Sequence, residues 1–136
     1  MIKTSKPKKE RRLRENSILS AAIQDSQHRD SSFRILGRCI ACLEGIPLLN
    51  GGMGTGRIDD YNHVIPRSRL PGESNFNILH NPRNLVGTCR AHHMDYDCKP
   101  EFWLPLMMKY HGYIYTDRLW VYYLGIAKEK GWLKDE

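Results

Sequence analysis

Two short cysteine and histidine spacings stand out in this 136-residue chain. Cys39-Ile40-Ala41-Cys42 is a C-x2-C knuckle, and Cys89-Arg90-Ala91-His92 follows after forty-six intervening residues. Three thiolates and an imidazole nitrogen in two such pairs make a tetrahedral Cys3His set for zinc. Four protein ligands leave no open position for water, so a site of this kind is structural and ties a strand–loop region to a helix. A second histidine follows at once in "CRAHHMDYD". If residues 89–97 are helical, Cys89 and His92 project to one side, and His93, turned by about 100°, serves a different site. The same helix would turn Cys98 to the opposite face, leaving it an ordinary thiol outside the set. Upstream, His63 sits in the run "YNHVIPRSR", and Asn84 follows Pro82-Arg83 and precedes the apolar Leu85-Val86. The chain thus offers His63, Asn84 and His93 in order, with a zinc frame interleaved. His28, His80 and His111 read as packed or exposed side chains.

Four stretches must position these residues. Residues 1–9, built of Lys, Ser and Pro, read as a disordered basic arm. A helix is expected from about Lys9 to Gln27, with Leu13, Ile18, Leu19, Ala22 and Ile23 as its apolar stripe, so that residues 10–32 are an N-terminal helix and linker. Residues 33–98 form a compact module of short strands, loops and one helix. Within it GGMGTG, residues 51–56, is a flexible connector, because no Gly-Lys-Ser/Thr ending marks a phosphate-cradling loop. After Pro100, Phe102, Leu106 and Tyr110 recur at helical spacing before a stop at Gly112. Thr116 is placed to cap a last helix with Leu119, Trp120, Tyr123, Leu124 and Ala127 on one face, ending at Gly131. Residues 99–136 are therefore a C-terminal helical extension whose aromatics pack on the module. The fold class is α+β.

At this length the chain holds one domain with a modest core, the kind that leans on a metal or a disulfide. The C-x2-C pair favours metal. No apolar leader and no run of roughly 18 apolar residues is present, so the expectation is a cytoplasmic, reducing compartment and no membrane. The formal net charge is +6. Lys3, Lys6, Lys8, Lys9, Arg11, Arg12 and Arg14 stand against Glu10 and Glu15 in the first sixteen residues, which leaves the rest near neutral. A basic arm on a near-neutral body suits a polyanion, nucleic acid first; the alternative is a solvated tail that aids solubility.

The residues His63-Val64-Ile65-Pro66-Arg67-Ser68, then Asn84-Leu85-Val86, then Cys89-x2-His92-His93, closely resemble the HNH endonucleases, the ββα-metal or His-Me finger group. The resemblance covers about residues 36–98 and leaves out the arm and the C-terminal helices. It implies a small ββα-metal finger core with a zinc knuckle, flanked by the N-terminal and C-terminal helices. It also implies metal-dependent hydrolysis of DNA phosphodiester bonds, by nicking or double-strand cleavage, with 5′-phosphate and 3′-hydroxyl ends. In that family His63, on the first strand, matches the general base that takes a proton from the attacking water. Asn84 matches the asparagine that braces the loop and helps orient that histidine. His93 matches the ligand of the catalytic divalent ion, Mg2+ or Mn2+. Asp97, one turn on, is a candidate second ligand, at a position where the similar colicin-type branch has a histidine. A neutral imidazole takes a proton at physiological pH, and an ion held by His93 can stabilise charge on the leaving 3′ oxygen. Arg67 and Arg69 are placed to pair with flanking phosphates, with Lys8, Lys9, Arg11 and Arg12 as further backbone contacts. Small free-standing members of the family are often encoded by phages or mobile elements, which implies a bacterial or phage-infected host cell.

The departure falls on Asn62. Many family members have an aspartate before the histidine, and that carboxylate binds the metal. An amide oxygen can still coordinate but brings no charge. Three outcomes follow: Asp97, Asp59 or Asp60 supplies the carboxylate; a softer ion, Mn2+, Ni2+ or Zn2+, is preferred; or cleavage has been lost and a zinc-stabilised DNA-binding module remains. A further alternative is an adaptor in a phage-type DNA-processing complex, docking a protein partner through its aromatic C-terminal helices.

Overall fold

The computed structural model describes residues 5–133, with side chains from Lys8 onward. Helix α1 spans Ser5–Asp30, so residues 5–9 lie on the helix instead of in a disordered arm, and the expected helix starts earlier and runs on to Asp30; residues 1–4 of that arm lie outside the described residues. Lysine, arginine and glutamate are good helix formers, and Pro7 falls in the first turn, where its missing N–H costs no intrahelical bond. The expected apolar stripe is corrected at its start. Leu13 is 60% exposed, and the buried seam runs through Ala22, Ser26 and Asp30, with Ile18, Leu19 and Ile23 half-buried beside it.

That seam is seated by polar bonds. The Arg29 guanidinium donates to Pro82 O (2.6 Å), Leu85 O (3.0 Å) and the Tyr113 hydroxyl (2.9 Å), while Asp30 accepts from Tyr61 Oη at 3.0 Å. Burial alone would lower the Arg29 pKa, but its pairing with Asp30 and Tyr113 outweighs that and raises it.

A short helix, α2 (Ile40–Leu43), carries the knuckle. The chain then forms β1 (Asp60–His63), α3 (Phe76–Leu79), β2 (Leu85–Thr88) and α4 (Arg90–Asp95). The strands pair antiparallel, Asp60 opposite Thr88 and His63 opposite Leu85. Two C-terminal helices follow, α5 (Pro100–His111) and α6 (Arg118–Glu129). Gly112 ends α5 in the left-handed region at φ +73°, where glycine carries no Cβ penalty. Asp117, one residue beyond the expected Thr116, caps α6 by accepting from Trp120 N at 3.0 Å, because its carboxylate is the stronger acceptor for an orphan N–H. The described chain is thus a mixed α+β fold with one two-stranded sheet.

The core joins the strand–helix module to the C-terminal helices. Trp120, Tyr123, Leu104 and Met107 pack with Ile40, Ile65, Leu79 and Val86. Each such side chain contributes roughly 1.5–3 kcal/mol when taken out of water. The expected aromatic face of α6 is buried at Trp120, Tyr123, Leu124 and Ala127, with Leu119 half-buried, and Tyr123 Oη donates to Ile78 O. Among the described residues no helix is long and apolar enough to cross a membrane.

Candidate metal centre and candidate active site

Cys39 stands at the N-cap of α2 and Cys42 within it; Cys89 caps α4 and His92 lies in its first turn. The four donor atoms lie within 4.8 Å of one another. Cys42 and Cys89 Sγ are 3.8 Å apart, and His92 Nδ1 is 3.3 Å from Cys89 Sγ, 3.4 Å from Cys42 Sγ and 3.9 Å from Cys39 Sγ. A tetrahedron with arms of ~2.3 Å has edges of ~3.8 Å, so the cluster fits a metal ion such as zinc. The tautomer fits as well. His92 Nε2 donates to Ile46 O at 2.7 Å, which leaves the Nδ1 lone pair facing the thiols. Burial, then the neighbouring Cys39, pushes the Cys42 thiol well above its ordinary value, so ion binding here must displace protons.

Gly54 corrects the reading of GGMGTG as a flexible connector. A Cβ on Gly54 would lie 2.7 Å from Cys42 Sγ, 2.7 Å from Cys89 Sγ and 2.8 Å from His92 Nδ1. The loop backbone therefore covers that face of the donor set. Cys98 is outside the set, as expected, though for another reason. α4 ends at Asp95, and Cys98 is exposed beyond it with φ +54°.

Asn84, at the end of a 3-10 turn entering β2, is buried and holds the loop that follows His63. Its Oδ1 accepts from Ile65 N at 2.7 Å, and its Nδ2 donates to Ile65 O and Leu79 O, both at 3.0 Å. Its own carbonyl accepts from Val64 N at 2.9 Å. The loop two residues past His63 is thus pinned from three sides.

The pleat of β1 sends alternate side chains to opposite faces. On one face Tyr61 reaches Asp30, and His63 Nε2 lies 2.9 Å from His80 Nδ1. On the other, Asn62 Nδ2 donates to Thr88 Oγ1 at 2.7 Å, and Asp60 Oδ2 lies 3.3 Å from His93 Nδ1. The carboxylate at His93 is therefore Asp60, two residues before the expected Asn62. Asp97 Oδ1 is 3.4 Å from the other ring nitrogen, Nε2. Asp59 is committed elsewhere, accepting from Arg90 N at the start of α4. Arg90, then His93, holds the Asp60 carboxyl below its ordinary value. His63 and His93 make no direct contact; each is held by its own partners.

His80 is fully buried at its side chain, and its Nε2 lies 2.6 Å from Glu15 Oε2 on α1. Burial, with His80 and Arg67 nearby, pushes His63 down to about 4, so it is unprotonated at neutral pH. Burial would raise the Glu15 carboxyl, but His80 and Arg67 outweigh it and hold it low. Neither Glu15 nor His80 carries a local sequence signal, since sixty-five positions separate them.

Arg67, expected to face phosphate, is exposed but paired with Glu15 at 2.5 Å. Arg69, Lys8, Lys9, Arg11 and Arg12 are exposed. Arg14 pairs with Glu73, fixing the middle of α1 to the loop before α3. Comparisons with protein-family models, with curated proteins and with solved structures find no match for this chain.

Proposed function

We propose that this protein is a metal-dependent HNH-type endonuclease acting on DNA. The observation that carries the reading is the arrangement around β1, β2 and α4. His63 ends the first strand, Asn84 clamps the loop that follows, and His93 stands on the helix against a carboxylate. Asp60 and His93, through Nδ1, would hold a divalent ion, Mg2+ or Mn2+, with Asp97 accepting from the far ring nitrogen as an orienting partner. Such an ion would supply positive charge against that developing on the phosphate and on the leaving 3′ oxygen. His63 takes the proton from water as the water oxygen bonds to phosphorus and the bond to O3′ breaks. The O3′ takes a proton from solvent, giving a 5′-phosphate and a 3′-hydroxyl. Asn84 keeps His63 in place through that step, and the Cys39, Cys42, Cys89, His92 centre keeps α4, and with it His93, in register. The exposed Lys8, Lys9, Arg11 and Arg12 of α1, with Arg69, supply the backbone contacts to the polyanion.

One observation favours a second reading, a zinc-stabilised DNA-binding module without cleavage. His63 leaves β1 on the face opposite Asp60 and Asn62, and Arg90 already occupies Asp60 at 3.2 Å. The test is supercoiled-plasmid nicking with Mg2+, Mn2+, Ni2+ or EDTA, comparing wild type with His63→Ala and Asp60→Asn. Metal-dependent nicking lost in both variants supports the nuclease. No nicking under any ion, with DNA still shifted on a gel, sinks it in favour of the binding module.

A further inference from the structure

The imidazole proposed as the base has an uncommon partner. His63 Nε2 meets His80 Nδ1 at 2.9 Å, and His80 Nε2 meets Glu15 Oε2 at 2.6 Å. The three side chains form a line and not a cage. His80 uses both of its ring nitrogens as bridges, so they do not converge on a point where an ion could sit. The proton positions follow once His80 is taken to carry a single ring proton. An ionised carboxylate can only accept, so the His80 proton must be on Nε2. A neutral His80 then offers a lone pair at Nδ1, which accepts from His63 Nε2–H. In that arrangement the lone pair of His63 falls on Nδ1, the ring nitrogen that does not face His80. Free histidine has no such fixed choice between its two nitrogens.

We propose that Glu15 and His80 are positioning residues that hold His63 in its Nε2–H tautomer and direct its Nδ1 lone pair outward to take a proton. The inference rests on His63 being the base of the proposed nuclease. It adds α1, which lies outside the strand–helix unit, to the machinery. Arg67 donates to the same Glu15 oxygen and stays exposed, so it keeps the carboxylate ionised from the solvent side. His80, at the middle of the line, is buried while Glu15 and His63 are half-buried, and the charged groups facing His63 are Glu15 and Arg67. When His63 accepts a proton, its Nε2–H remains bonded to His80, whose Nε2–H remains bonded to Glu15, so the new positive charge faces a carboxylate through one ring. This is the role a third group plays in orienting any histidine base.

The experiment uses full-length zinc-loaded protein labelled with 15N at histidine, with ring nitrogens assigned through their long-range proton couplings. Wild type is expected to show His63 protonated at Nε2 and bare at Nδ1. Glu15→Gln can turn its amide N–H toward His80, which reverses the line and puts the proton on His63 Nδ1. Glu15→Asp, one methylene short, is the conservative variant and should restore the wild-type pattern in part. In plasmid nicking, Glu15→Gln should lower kcat about 10- to 100-fold with KM within about threefold, and Glu15→Asp should recover a share of it. A wild-type His63 protonated at Nδ1, or a Glu15→Gln protein with an unchanged tautomer, overturns the inference even if the enzyme nicks. The expected tautomers without any nicking in wild type would leave the line standing and overturn the nuclease. His80→Gln, measured beside them, should lose the coupling between position 15 and His63; if Glu15→Gln still changes the His63 tautomer in that background, His80 is not the link.

Discussion

Replacing Gly54 by alanine tests the metal centre with a single methyl group. The added Cβ would lie 2.7 Å from two sulfurs and 2.8 Å from a ring nitrogen. Unbonded heavy atoms settle at roughly 3.5–4.0 Å, so the shortfall is about 0.8 Å against three ligands at once. Zinc bond lengths tolerate shifts of only ~0.2 Å. Either the 51–56 loop lifts off the site and admits water, or the thiolates are pushed beyond bonding reach. Both routes should weaken zinc by at least about 100-fold, equivalent to ~3 kcal/mol. Gly52→Ala is the matched control, two residues away. Its Cβ would lie 3.1 Å from the exposed Asn50 Oδ1, a side-chain end that can swing aside, and an ordinary 4.0 Å from Asn50 Cγ and Leu48 Cδ1. Competition against a chromophoric chelator would give both affinities at fixed pH. An alanine at position 54 that binds zinc within twofold of wild type would refute the close approach of loop and ligands. Equal losses at 52 and 54 would place the effect in loop flexibility and not in contact.

Three further outcomes are expected. Stripping metal with a chelator should lower Tm by about 10–20 °C, since a loss of about 3–5 kcal/mol moves a domain of this size by that amount; scanning calorimetry with and without zinc readdition would measure it. Asn84→Ala should destabilise the fold by about 2–4 kcal/mol in urea titrations, because Ile65 N, Ile65 O and Leu79 O all lose a buried partner; a change under 1 kcal/mol would show that the loop re-pairs. The His111 side chain is buried with neither ring nitrogen hydrogen-bonded and Asp30 Oδ1 3.8 Å from Nδ1, and burial, then Arg29 and Arg34, pushes it down to about 3. With the folded value below the unfolded one, the stability its neutral form contributes is full above about pH 6.5 and is lost as pH falls toward 3. His111→Phe should therefore flatten the acid limb of the stability curve by a few kcal/mol at little cost near pH 7. An unchanged limb would mean that another group governs acid unfolding.

What could be read from the chain was what lies close in sequence. Cys39 with Cys42, and Cys89 with His92, are joined by single turns, so spacing alone fixes their direction. The stop at Gly112 and the apolar face of α6 are likewise local, and they are in place. What could not be read was carried by contacts between distant segments. Leu13 looked like part of a stripe, but α1 is seated through Arg29, Asp30 and Ser26, whose bonds have no hydropathy signature. Gly54 looked like slack in a loop because the ligands it covers are twelve and thirty-five residues away, at Cys42 and Cys89. Asp60 stands beside His93 because strand alternation gives Asp60 and Asn62 one face, and only the pairing with β2 decides which of them meets the helix. His80 passed for an ordinary packed histidine because Glu15 completes it from another element.

The fork of Arg29 on Pro82 O and Leu85 O bears on portability. Among the described residues β2 has only β1 as a strand neighbour, and a bare two-stranded sheet is marginal in water. The long helix acts as its splint, lying across the open side and occupying a strand carbonyl with a cation. A fragment cut at residue 33 would retain all four residues of the Cys3His cluster, yet expose Leu85 O, orphan Tyr61 Oη and leave His80 without its carboxylate. The smallest piece that could be transplanted into another protein and keep its shape therefore begins within α1, upstream of Glu15.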